Sequence, residues 1–386
     1  MIYSLLRQWS IVMIKNTTYL SPFLGAYYFF YFALVGVYVI FMPKALLELG
    51  YTPVEVGIIY AAAPFMRFLL PFLFRHSLSL TENVYRLSLL FTFIGTLIFL
   101  QTVESFYAYL IANLLFGAAM GVSLPYVETI ALARLARQHY GKVRLWGSLG
   151  FMFIALWLGK ILTSPLETLY YLCVMAALTL IFGLVITKYD SIEHSSSKED
   201  ASFSLSKYWA FWTSIFLMQV GFGGFYNFFT IYETSHGISL EVVSWMWSFG
   251  VLCEIVMLYF QGPLLKRNLL NILLFATLIT SFRWLILYIY PQSVEITFMT
   301  QSLHAVSFAL YHTAAITYVF SLYSQKKLAQ QFFLGIAFGL GGSIGAILSG
   351  QMYGEYLFLF ESFITLFAFL VLLVHKKRRD MIEIKV

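Results

Sequence analysis

Six ionisable residues of this chain stand where ionisable residues are costly. Glu128 lies in GAAMGVSLPYVETIALARL, Arg144 in YGKVRLWGSLGF, Glu254 in WMWSFGVLCEIVMLYFQG and Arg283 in TSFRWLILYIYP, while His304 and His312 share QSLHAVSFALYHTAAITYV. All sit within, or at the edge of, long apolar runs. A charged side chain in hydrocarbon costs about 2.5–3.5 kcal/mol on insertion scales, so such groups face other protein or a wet cavity. The chemistry they suit is charge-assisted binding of a polar solute and proton handling. Covalent catalysis has no matching residues: no H-E-x-x-H, Gly-x-Ser-x-Gly or cysteine cluster occurs. Cys173 and Cys253 both lie in apolar runs without metal-ligand spacing. No enzyme activity, cofactor or metal is expected.

Helical spacing sorts these residues further. Gly117, Gly121, Leu124 and Glu128 recur on one face, and the glycines let a second helix approach that face closely. Arg144 shares its face with Gly147, Ser148 and Phe151. A short loop separates the two segments, so Glu128 and Arg144 are placed at similar depth on antiparallel neighbours and can pair. The competing readings are neutralisation of Glu128 by Arg134 or Arg137, and Arg144 snorkelling beside Lys142. Glu254 is too far from its span end to snorkel easily and shares a face with Trp247, Gly250 and Gln261; it binds, carries a proton, or is a structural carboxylate. Arg283 is expected to pair with a carboxylate such as Glu254. His304 and His312 lie about two turns apart, on a face with Gln301, Ser307 and Tyr311, which suits polar binding or proton handling.

Two more charges are expected to be structural or interfacial. Arg67 is flanked by Pro64 and Pro71, and Glu233 closes GGFYNFFTIYETSHG on a face with Tyr226 and Phe229. Glu233 reads as a gate residue or an interfacial one, the second being favoured. Gly335, Gly339, Gly342 and Gly350 form a stripe in GIAFGLGGSIGAILSG, a close-packing or sliding surface.

The elements that must position these groups are membrane helices. The 386 residues are 60% hydrophobic and only 11% charged, against about 25% charged in a soluble domain. Twelve apolar spans are expected, near 19–43, 54–75, 84–103, 106–132, 142–163, 167–187, 207–232, 241–262, 269–290, 294–322, 329–352 and 356–375. The first is too long for a signal-peptide core, and the segment before it, with Arg7 and Lys15, is expected along the interface. Arg75, Arg86, Arg134, Arg137, Lys142, Lys188, Lys198, Lys207, Lys266, Arg267, Lys326, Lys327 and the run Lys376 to Arg379 all fall on one side of this layout, against Lys44 and Lys160 on the other. The positive-inside rule therefore places both termini in the cytoplasm and accounts for the net charge of +6 without nucleic acid. The polar stretch KYDSIEHSSSKEDASFSLSK separates the spans six and six. The domains expected are a first bundle, 1–187, a cytoplasmic linker, 188–206, and a second bundle with a basic tail, 207–386.

At these residues the chain resembles the major facilitator superfamily of transporters, within it the branch of the 3-phenylpropionic acid transporters and, more distantly, lactose permease. YFFYFALVGVYVIFMPKALLELG, YGKVRLWGSLGF, GVLCEI, FRWL and LHAVSFALYH carry the resemblance, which covers almost the whole chain. It implies an all-α fold of twelve transmembrane helices in two six-helix bundles. It also implies solute binding by Glu128, Arg144 and Glu254, and sets Arg283 and His304 at the permease's helix-nine arginine and helix-ten histidine. Two departures stand out. Ser307 occupies the position of the permease's proton-carrying carboxylate, and FLFRHSLSLTENVYRLSL lacks the Gly-x-x-x-Asp-Arg core usual after span two.

The expectation is a proton-coupled symporter of a small organic solute, an aromatic acid such as a phenylpropionate, or a sugar or nucleoside. The candidate substrate-binding residues are Glu128, Arg144, Glu254 and His304; those for proton coupling or gating are Glu254, Arg283, His304 and His312. Partners are the solute, protons and lipid bilayer, with a monomer in a bacterial inner membrane. An exporter or an uncoupled facilitator is the alternative, although GSLGFMFIALWLG lacks the Gly-Pro pair of proton-linked drug exporters. A receptor without transport activity is disfavoured by the lack of a soluble signalling domain.

Overall fold

Each apolar run becomes a helix. The structure, a computed structural model, describes residues 20–76, 80–135, 137–189 and 203–383. The interfacial segment expected around Arg7 and Lys15 and most of the expected linker lie outside the described residues. In chain order the helices are α1 (Leu20–Glu48), α2 (Pro53–His76), α3 (Glu82–Thr102), α4 (Phe106–Arg134), α5 (Arg137–Ile161) and α6 (Pro165–Ile186). They continue with α7 (Ser206–Ser235), α8 (Leu240–Phe260), α9 (Leu269–Ile289), α10 (Val294–Leu322), α11 (Leu328–Gln351) and α12 (Leu357–Glu383). Eleven of these spans are long and apolar enough to cross a bilayer by length and composition. The remaining one, α5, carries Lys142, Arg144 and Lys160, which dilute its apolar run.

Three helices are locally underwound, and one is broken. π-helical turns occupy Val37–Phe41 in α1, Ala305–Leu310 in α10 and Leu334–Gly341 in α11. Such turns are uncommon and often mark functional positions. The first explains why α1 runs past its expected end at residue 43. Pro43 falls at the start of the α-helical segment Met42–Glu48, where its missing N–H costs little. The break is in α7, where the helix ends at Val220 and restarts at Gly223. At the other extreme α12 continues through the basic run to Glu383, beyond the expected limit of 375.

The loops at one face turn on Gly50, Gly237 and Gly354, with φ of +99°, +88° and +142°, a region that suits only glycine comfortably. We call this the glycine-turn face. The other, basic face bears most of the cations. There Arg86 pairs with Glu82 and donates to Thr187 Oγ1 at 3.2 Å, Arg134 donates to the Tyr189 carbonyl at 2.9 Å, and Lys376 donates to Asn271 Oδ1 at 2.8 Å.

The packing gives two six-helix halves. In the first, α3 lies against α4 and α6, and α2 against α4; in the second, α12 lies against α7 and α9, and α10 against α8 and α9. The halves meet through α2 with α11, α5 with α8, and α1 with the second part of α7. The glycine stripe of α11 is the widest of these seams. Gly339 faces Phe68, Gly342 faces Pro64, and Gly350 lies so close to Gly57 that a Cβ on either would meet backbone. Ser343 ties the seam midway by donating to the Ala61 carbonyl at 3.0 Å. The expected close-packing surface is therefore the contact between the halves.

Candidate functional site

The short connection between α4 and α5 brings Glu128 and Arg144 to the same depth. Arg144 Nε stands 3.5 Å from Glu128 Oε1, with both side chains about one-third exposed (31% and 34%). Tyr140, one turn earlier on α5, also interacts with Glu128. The Arg144 guanidinium lies over the Phe32 ring at 4.1 Å and the Tyr28 ring at 5.4 Å, so α1 supplies an aromatic floor. Gly147 leaves the room: a Cβ there would touch Phe32 and Arg144 Nη1. Arg144 thus faces α1 and α4.

The second group forms where α8, α9 and α10 meet. Side-chain caps by Ser239, Asn268 and Ser293 fix where these three helices start. Arg283 is wholly buried. Its Nη1 donates to Ser307 Oγ at 3.0 Å and lies 3.1 Å from His304 Nδ1, while Nη2 donates to Gln301 Oε1 at 3.0 Å. Its flat faces rest on Phe225 and Trp284, each at 4.5 Å. The expected pairing with Glu254 is not what forms. Among the described residues Arg283 has no carboxylate at ion-pair distance, and Glu254 Oε2 instead approaches His304 Nε2 at 3.9 Å. The reason is geometric: the imidazole sits between the two, with one nitrogen towards each. Ser307, where the resemblance implies a carboxylate, supplies only a hydroxyl.

Glu254 links the two groups. Its side chain is 21% exposed, and the Arg144 charge from the other half acts on it. Trp247 adds a second bridge between halves. It packs edge-on against Phe151 of α5 at 6.2 Å, donates to Thr230 Oγ1 at 3.0 Å, and lies 4.7 Å from Phe225. Glu128, Arg144, Glu254, His304 and Arg283 therefore form one discontinuous polar path across the seam. His312 does not join it. It continues the ring stack from His304 through Phe308 (5.2 and 6.0 Å) and ends among Phe333 and Phe338, with Nδ1 unpartnered.

Two further carboxylates are wholly buried. Glu233, expected at an interface, is wholly buried. Glu361 of α12 was not singled out, although it is a lone charge in LFLFESFITLF. It is also wholly buried, accepts the Gly224 amide at the restart of α7, and accepts from Ser349 Oγ at 3.3 Å. Sequence could flag its cost but not its partner, because the partner is a buried helix start created by the α7 break.

The profile of the MFS_1 like family matches residues 23–365. The chain belongs to that family. This MFS_1 like chain is a major facilitator transporter, not an enzyme. It is 27% identical over 367 residues to the "Probable 3-phenylpropionic acid transporter" of Escherichia coli (strain K12), covering 89% of this chain and 92% of that one. It is 24% identical over 251 residues to the "Uncharacterized transporter YwbF" of Bacillus subtilis (strain 168), covering 63% and 61%. Among solved structures, the nucleoside transporter NupG superposes with a TM-score of 0.74 at 19% identity, over 93% of this chain and 99% of that one. The POT family transporter PepTSo does so with 0.74 at 10% identity, over 95% and 98%. These likenesses support the twelve-helix, two-bundle fold.

Proposed function

We propose that this transporter is a proton-coupled symporter of a small organic acid with an aromatic ring, working by alternating access of its two halves. The observation that carries the reading is the arrangement around Arg144. A guanidinium about one-third exposed sits on two aromatic rings beside Glu128 and within electrostatic reach of Glu254. A planar fork suits a carboxylate, and an aromatic floor suits a ring. The printed name of the Escherichia coli relative points to the same solute class. In this reading Arg144 holds the solute carboxylate, and Glu128 orients Arg144. Glu254 takes up the proton and relays its charge state through His304 to Arg283. His312, packed among Phe308, Phe333 and Phe338 outside that path, is given no part in coupling.

The domains are proposed as 1–187 and 207–386 joined by 188–206, in a monomer in a bacterial inner membrane with the basic face and both termini cytoplasmic. Charge asymmetry supports that orientation. The test is uptake into proteoliposomes under an imposed proton gradient, with 3-phenylpropionate, a sugar and a nucleoside as probes. The reading predicts gradient-driven uptake of the aromatic acid. Downhill equilibration without any response to the gradient would instead select an uncoupled facilitator, and solute efflux driven by proton entry an exporter.

A further inference from the structure

Three carboxylates of the second half, Glu254, Glu361 and Glu233, lie in apolar helices. Glu254 belongs to the site already described. Glu361 has donors from Gly224 and Ser349, and so reads as the cap of the α7 restart. Glu233 differs from both. It is wholly buried, and among the described residues neither carboxylate oxygen has a hydrogen-bond partner. Among the described residues no cation stands at ion-pair distance from it.

Its place in the fold gives that isolation meaning. Glu233 lies in the part of α7 between Gly223 and Ser235, on the helical face of Tyr226 and Phe229. This part of α7 packs against Val37–Glu48 of α1, which belongs to the other half of the molecule. The contact closes the seam at the glycine-turn face. The nearby charges on the surrounding elements are otherwise engaged or exposed. Lys44 and Glu48 of α1 pair with each other at 2.7 Å, while Lys160 of α5 and Glu241 of α8 are exposed. Beside it the Tyr232 hydroxyl is also unpartnered, and His236, just past the helix end, is held through Nδ1 to the Tyr232 carbonyl at 2.8 Å; from the α12 side, Glu361 is engaged by the Gly224 amide and Glu355 is exposed.

An ionised carboxylate without a partner is strongly disfavoured in such a setting, whereas the neutral acid suffers only the smaller loss of an unmade hydrogen bond. We infer that Glu233 is a protonation latch: the α1–α7 seam closes over the neutral acid and opens when the carboxylate ionises into water. A proton taken up at the glycine-turn face then favours closure of that face, because a ligand shifts an equilibrium towards the state that binds it better. The proton adds to a carboxylate oxygen and leaves to water on opening; no other bond changes. The inference rests on the alternating-access reading.

The experiment places spin labels at Val54→Cys and Glu241→Cys, exposed positions on the two halves at the glycine-turn face. The background is Cys173→Ser and Cys253→Ser, in lipid nanodiscs. Distances are then measured in acidic and alkaline buffer. The wild-type residue at 233 should give a growing long-distance population on alkalinisation. Glu233→Gln and Glu233→Leu should both stay at the short distance in either buffer. A pH response retained in either variant, or absent when Glu233 is present, overturns the inference. Carbodiimide modification, which requires a protonated carboxyl, gives a check that needs no variant. Labelling of Glu233 should be strong in acid and suppressed in alkali, and equal labelling overturns the latch. Loss of gradient-driven uptake with an intact distance response would reject symport and leave the latch standing.

Discussion

Replacing Arg144 with lysine isolates what the guanidinium does beyond its charge. At 3.5 Å from Glu128 Oε1, Arg144 Nε makes only a loose ion pair, and the proposed role of its planar fork is a paired contact with the solute carboxylate. A lysine ammonium reaches one partner at a time on a flexible stem and cannot form the paired contact. The loss is one charge-assisted hydrogen bond to the solute, about 1.5–3 kcal/mol. At about 1.4 kcal/mol per tenfold, that corresponds to roughly ten- to a hundredfold weaker binding. The aromatic support adds little to this difference, since about 0.5–1 kcal/mol of cation–π attraction at a partly exposed site is present with and without solute. The assay is calorimetric titration of purified Arg144→Lys with 3-phenylpropionate, beside the parent protein and with monodispersity checked by gel filtration. An affinity unchanged by the substitution in a well-folded variant would refute the fork-and-ring account of the site.

Other expectations follow from the same geometry. Arg283→Lys cannot serve His304, Ser307 and Gln301 together; each charged hydrogen bond lost is worth about 1.5–3 kcal/mol, and the melting temperature in detergent should fall clearly, an unchanged one contradicting the assigned network. Gly224→Ala places a Cβ 2.6 Å from Glu361 Oε1 and should destabilise the α7 restart by about 1–3 kcal/mol, read in the same melts; full stability would mean the cap is not confined. Gly57→Leu cannot keep the backbone approach to Ala346 and Gly350, so it should hold the halves apart at the glycine-turn face and raise thiol labelling of Val54→Cys in the cysteine-free background. Equal labelling with and without Gly57→Leu would count against that seam.

Spans were legible from apolar length alone, and their ends shifted mainly where backbone geometry intervened. Pro43 did not end α1 because a π turn placed it where a proline is tolerated. The break in α7 and the π turn after His304 leave little trace in composition. The Glu128–Arg144 pair could be foreseen because both residues lie near one short loop, so depth follows from counting residues. The Arg283 network could not. It depends on how three helices rotate about their axes, which decided that His304 would stand between Arg283 and Glu254. Glu361 shows a further limit, since an isolated glutamate in an apolar helix signals cost but not whether the partner is a cation, a solute or a helix end.

The central claim is that a proton and an organic acid move together, with Glu254 carrying the proton. The most direct measurement is the pH of a lightly buffered suspension of proteoliposomes as 3-phenylpropionate is added. The account predicts alkalinisation of the outer medium that accompanies solute entry, and its disappearance in Glu254→Gln while exchange of labelled for unlabelled solute continues. Solute entry without alkalinisation, or alkalinisation undiminished in Glu254→Gln, would contradict it.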